Sequence, residues 1–331
     1  MINFLRVLIL WTLPGSLVFF FIWFAILKFD KGADPIAFQR LQPVSCNSMI
    51  FGASRAAQGV NPSVLESLVP HYGKWFNFSF NLSVSPWNNS YVSLIKRKLS
   101  GSIKGGDFSA FLLTINPWTL DSLNGGEQCW FDEPWVDPCG TNSIRYTIEK
   151  TVPLDLISKG QGMNLLSASQ KLFYKLTDRP YWGTATSSGI TNKGWLPNKG
   201  RPTDLERREN IKRKLSGYSE RQISPSWPDY ERMNALSNLI VHIKSSYESS
   251  RVLIIRLPTT NAMRELEEMR FPKCSVFLDN FAKDHELEFY DIHQIWKDRK
   301  NELFNDAHHL SDHGANKHSK FLADLLNQKL P

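Results

Sequence analysis

Two segments constrain this chain most, SAFLLTI (residues 109–115) and RVLIIRLP (251–258). Each is apolar at successive positions, so both faces of an extended strand are apolar there. Such a strand is stable inside a sheet covered on both sides, where parallel strands sit. Shorter runs repeat the pattern at SMIF (48–51), KWFNFSF (74–80) and LEFYDI (287–292). Between them apolar residues recur at helical spacing. Tyr91, Leu94, Ile95 and Leu99 mark one helix; Met233, Leu236, Leu239, Ile240 and Ile243 mark another. Asn61-Pro62 opens a helix over NPSVLESL, since Asn caps and Pro suits the first turn. Further helical segments fall at about 260–270, 276–285 and 312–328. Five strands alternating with helices predict an α/β fold: a doubly wound, right-handed, five-stranded parallel sheet in three layers. Ligands of such sheets lie at the carboxyl ends of the strands.

The alternation breaks at about 118–228. This stretch holds the CWFDEPWVDPC loop between Cys129 and Cys139, an amphipathic piece around Leu165–Leu176, a Gly/Trp-rich loop and the charged helix LERRENIKRKL. It reads as an insertion near the top of the sheet, and the mixed charges of its helix as a solvated face. A Cys129–Cys139 disulfide would pin an exposed loop and need an oxidising compartment; the alternative is two unrelated thiols. No CxxC occurs and no His lies beside either cysteine, so the zinc-ligand pattern is missing. Neither a metal nor a cofactor is expected.

At the N-terminus, Val7 to Leu27 are 21 residues without a charge. As a helix they span roughly 32 Å, enough for a bilayer core. They predict a membrane anchor over residues 1–28, a linker at 29–45 and one domain from 46 to 331. The alternative, a cleaved signal peptide, fits less well: the run is long and no small-residue cleavage motif follows it. Arg6 precedes the run and Lys28, Lys31 and Arg40 follow it, so the flanking charges do not fix the orientation. The net charge of +7 comes without a basic run interleaved with aromatics, so no nucleic acid partner is expected.

Polar residues gather where the strands should end. Ser54 follows the first strand in GASR, after a glycine that permits a tight turn. Asn116 follows the third, and Asp306 and His309 stand in D-x-x-H spacing before the last helix. A serine hydroxyl is a weak nucleophile until a base takes its proton. Imidazole does that near neutral pH, and a carboxylate fixes its tautomer. Asn116 is placed to donate to an oxyanion. Singly, Ser54 reads as a turn or cap residue, Asn116 as a turn former and the histidines as surface; together and in this order they read as a catalytic set.

These blocks resemble the SGNH/GDSL hydrolase superfamily, in GASR, TINPW and DAHHL. The resemblance spans about 46–118 and 250–331, and is nearest to membrane-anchored envelope members that acylate or deacylate polysaccharides. It implies a flavodoxin-like sheet and a Ser54, His309, Asp306 triad. It further implies an oxyanion hole from the Ser54 N–H, Asn116 and the N–H of Ser85, since NLSVSP (81–86) puts Pro86 where the family has glycine. Arg55, Asn81 and Trp87 are candidate substrate contacts. The implied protein is a single-pass enzyme of the cytoplasmic membrane with its domain on the periplasmic side. It would be an O-acyl, chiefly acetyl, transferase or esterase on a surface glycan. A cytoplasmic acyl donor would require a polytopic membrane acyl carrier as partner. Two other readings are a non-catalytic envelope-assembly protein with a degenerate fold, and a lipid-ester hydrolase at the membrane surface.

Overall fold

The computed structural model describes residues 40, 44–82, 85–103, 108–123, 190–198, 202–297 and 300–328. The expected anchor, Cys129 and Cys139, and the amphipathic piece of the insertion lie outside these residues. Among the described residues no helix is long and apolar enough to cross a membrane.

The five strands are β1 (Ser48–Gly52), β2 (Trp75–Ser79), β3 (Ser109–Thr114), β4 (Ser250–Arg256) and β5 (Glu288–Asp291). They form one sheet in the order β2-β1-β3-β4-β5, every pair parallel. This is the order expected of a flavodoxin-like sheet. Every residue of β1, β2 and β3 is buried, which explains why their sequences are apolar without alternation.

The helices, numbered over the described residues, cover both faces. α1 (Ser54–Gly59), α2 (Pro62–Leu68) and α9 (Asp312–Asn327) close one core with Ile50, Leu65, Leu112, Leu253, Ile255, Leu322 and Leu326. α3 (Asn89–Ser102), α5 (Tyr230–Ser246), α6 (Asn261–Arg270) and α7 (Cys274–Asp284) close the other, around Phe51, Phe78, Phe111, Leu113, Ile95, Leu239 and Leu278. α8 (Ile292–Ile295) follows β5, and α4 (Asp204–Ser219) belongs to the insertion. α4 is mostly exposed, as its charges suggest, but Tyr218 at its end enters the second core. Side-chain caps fix the helix starts: Asn61 accepts from Ser63 N, Asn88 from Tyr91 N and Ser311 from Gly314 N.

The turn that leads from β1 to α1 depends on Gly52. Its φ is +148°, and a Cβ there would lie 1.8 Å from Thr114 Oγ1. A glycine is therefore required for β1 to end this close to β3. The C-terminal carbonyls of α1, which a helix leaves unpaired, are all engaged. Asn77 Nδ2 donates to Ala56 O and Val60 O, Leu196 N to Ala57 O, Trp195 Nε1 to Gln58 O and His318 Nδ1 to Gly59 O. The short helix that begins with Ser54 is thus held by three segments, β2, the loop at Trp195–Leu196 and α9.

Candidate active site

Ser54 is the first residue of α1, at the carboxyl end of β1. Its N–H lies in the first turn, where no intrahelical acceptor exists. The loop before α9 delivers the other two groups. His309 Nε2 lies 2.9 Å from Ser54 Oγ, and His309 Nδ1 lies 2.8 Å from Asp306 Oδ2. The Asp306 Oδ1 accepts the backbone N–H of His308 and of His309, both at 2.9 Å. This one carboxylate therefore shapes the turn and orients the ring. With Nδ1–H donated to Asp306, Nε2 is free to accept the Ser54 proton. Burial pushes the Asp306 carboxyl up, but the charge and hydrogen bond of His309 outweigh it and hold the acid well below the usual carboxylate range.

The loop itself is fixed at both ends. Phe304 and Leu310 form an antiparallel bridge, with Leu310 buried beneath the loop. Asn305 N donates to His309 O at 2.9 Å, and Thr260 donates to Ala307 O from both its N–H and its hydroxyl.

His308 points away from Ser54, towards the insertion and not towards solvent. Its ring is 2% exposed and meets Tyr218 edge-on at 5.0 Å between centroids. Burial, then the neighbouring His309, holds its pKa well below that of a free histidine. Asp306, His308 and His309 bring potential ligand atoms within 4.8 Å of one another. A metal there would have to take one ring nitrogen of His309 from its bond to Ser54 or to Asp306.

The other expected site residues are placed unevenly. Asn116 sits at the end of β3, nearly buried, with its backbone N–H bonded to Thr119 Oγ1 at 3.3 Å. Asn81 is exposed beyond β2. Three residues are corrected. Ser85 donates both its N–H and its hydroxyl to Asn81 O, at 3.0 and 2.9 Å, so it has no N–H to offer an oxyanion. Trp87 is completely buried in the core and presents no face to a substrate. Arg55 is 5% exposed, and its Nη2 is bonded at 2.5 Å to Glu267, which turns it inward from any substrate.

Glu267 was not signalled by the sequence. Its Oε1 also accepts from Trp118 Nε1 at 3.0 Å, and its Oε2 from Arg256 Nη2 at 3.0 Å. Burial would raise its pKa, but Arg55 and Arg256 outweigh burial and hold it at about 2. Nearby, Asp291 accepts from Arg264 Nη2 and from Ser275 Oγ, at 2.6 and 2.5 Å. The one available signal was Arg256, a charge that follows the apolar run Val252–Ile255 and is itself buried.

No known protein family matches the chain, and no curated protein matches it. Some solved structures share a partial likeness. A Streptococcus pneumonia protein named for platelet activating factor is 15% identical with a TM-score of 0.36, over 94% of this chain and 99% of that one. Phospholipase A1 from Streptomyces albidoflavus NA297 is 10% identical with a TM-score of 0.36, over 87% of this chain and 100% of its own. An extracellular lipase from Streptomyces rimosus is 10% identical with a TM-score of 0.35, over 86% of this chain and 100% of its own. At such scores these likenesses decide nothing about this chain, whose fold is read from its own sheet order.

Proposed function

We propose that this chain is a serine esterase or O-acyltransferase of the SGNH type, acting on acyl, chiefly acetyl, esters of a cell-surface polysaccharide. The observation that carries the reading is the hydrogen-bonded row Ser54–His309–Asp306, with distances of 2.9 and 2.8 Å. Ser54 Oγ attacks the acyl carbon while its proton moves to His309 Nε2. The oxyanion is received by the Ser54 N–H and the Asn116 amide. Collapse leaves acyl-Ser54, and the departing alcohol takes the proton from His309. A sugar hydroxyl or water, deprotonated by His309, then attacks the acyl-Ser54 ester and restores the serine. Without Ser85 the hole has fewer donors, and each missing donor costs roughly 3 kcal/mol of transition-state stabilisation. That slows the chemistry without removing it.

A glycan acceptor is supported by the composition of the insertion, which carries Trp130, Trp135 and Trp182, because indole faces stack well on sugars. The uncharged run Val7–Leu27 supports a membrane anchor, and the resemblance of the GASR, TINPW and DAHHL blocks to envelope SGNH proteins supports a catalytic domain on the periplasmic face. A polytopic membrane acyl carrier is the partner such an enzyme needs if its donor is cytoplasmic.

The test is release of p-nitrophenol from p-nitrophenyl acetate by the full chain in detergent, with and without an acceptor glycan. Turnover is expected, and Ser54→Ala is expected to fall to the buffer rate with an unchanged circular dichroism spectrum. A fully active, folded Ser54→Ala variant would overturn the reading. Acetylated glycan as product identifies transfer, and free acetate identifies hydrolysis.

A further inference from the structure

Glu267 joins two turns that are distant in sequence. It lies in α6, 1% exposed. Its Oε1 accepts at once from Arg55 Nη2 at 2.5 Å and from Trp118 Nε1 at 3.0 Å. Arg55 is the residue after Ser54, and Trp118 stands two residues after Asn116. The other oxygen, Oε2, holds Arg256 at the end of β4. The start of the same helix grips the third turn of the site: Thr260 donates to Ala307 O from its N–H at 3.0 Å and from its hydroxyl at 2.9 Å, one residue beyond Asp306.

We infer that Glu267 is a positioning residue, whose carboxylate fixes the Ser54 turn against the Asn116 turn and so sets the gap in which the oxyanion forms. The inference rests on the acyl-transfer reading above. Oxyanion donors work only when they are held within about 0.5 Å of the productive geometry. One side comes from the β1–α1 turn and the other from the end of β3. Glu267 is bonded to the residues that follow each of them, and its burial leaves no water to replace those bonds. Its own conformation is secured by Arg256, so the clamp is anchored to the sheet and not to a surface loop.

Time-resolved labelling of the full chain with a fluorophosphonate reads a rate constant and a final labelled fraction separately. In the wild type the label is expected on Ser54. Glu267→Gln is expected to lower the rate constant about 100-fold, the effect of roughly 1 Å of misplacement. Trp118→Phe removes one hydrogen bond and no charge, and is expected to lower it about tenfold. Glu268→Gln, a change at the half-exposed neighbour, should leave it within about twofold, as for surface changes generally.

A merely structural Glu267 would reduce the labelled fraction and leave the rate constant of the folded molecules at the wild-type value. That result in Glu267→Gln, or in Trp118→Phe if the former does not fold, overturns the inference while the acyl-transfer reading stands. Absence of label on wild-type Ser54 overturns that reading itself, and the inference with it.

Discussion

At the scale of single side chains, two adjacent histidines divide by where their rings point. The His309 ring sits between Asp306 and Ser54, whereas that of His308 packs on Tyr218. His309→Ala should therefore cost roughly a thousandfold or more in rate, comparable with loss of Ser54, because members of a triad act as a unit. Asp306→Asn should fall between the two histidine variants, since the base remains but its tautomer is disturbed. His308→Ala should cost about tenfold at most in rate, together with a loss of stability from the cavity beside Tyr218. Steady-state kinetics and urea unfolding of the three variants check this. A greater rate loss at His308 than at His309 would contradict the assignment.

At the scale of elements, the end of β1 carries the site. Gly52→Ala would drive a Cβ against Thr114 Oγ1 at a positive φ. The expected loss is roughly 1–3 kcal/mol in urea unfolding, with activity falling further because the Ser54 turn must move. An unchanged midpoint would show that β1 can end elsewhere. β1, β3 and the centre of β4 were legible in sequence because they are apolar on both faces, and the start of α2 was legible where Asn61 caps it. Ser54, Asp306 and His309 were legible because each lies at a strand end or in a local motif. Glu267 was not, because its partner Arg55 is 212 residues away and one of three Glu in a polar helix reads as surface. Ser85 and Trp87 were misjudged because their roles depend on how the chain folds after β2, and no spacing rule reports that. Arg55 was misjudged because a charge beside a nucleophile suggests substrate, while its partner lay in another element.

At the scale of the whole molecule, three buried groups and the partly buried Asp306 give stability a defined pH dependence. The pKa values of His308 and His318 are lowered by burial, His318 from 6.5 to about 4. Those of Asp306 and Glu267 are lowered despite burial, Glu267 from 4.5 to about 2. Each binds fewer protons folded than unfolded, so acid favours the unfolded chain. Stability should be complete above about pH 6.5 and fall first through the histidine range, by roughly 3 kcal/mol from His318 alone near pH 4. It should fall further as the carboxylates protonate. Urea midpoints at pH 7, 5 and 4 measure this, and a flat or rising profile towards acid would contradict it. The catalytic predictions, unlike those on stability, depend on Ser54 acting as a covalent nucleophile. The most direct measurement is mass spectrometry of the full chain, acid-quenched during turnover of an activated acetyl ester. One acetyl group on the Ser54 peptide, absent in Ser54→Ala and accumulating in His309→Ala only slowly, is the predicted result. Turnover without any acetylated Ser54, or with the acetyl group on another residue, would contradict it.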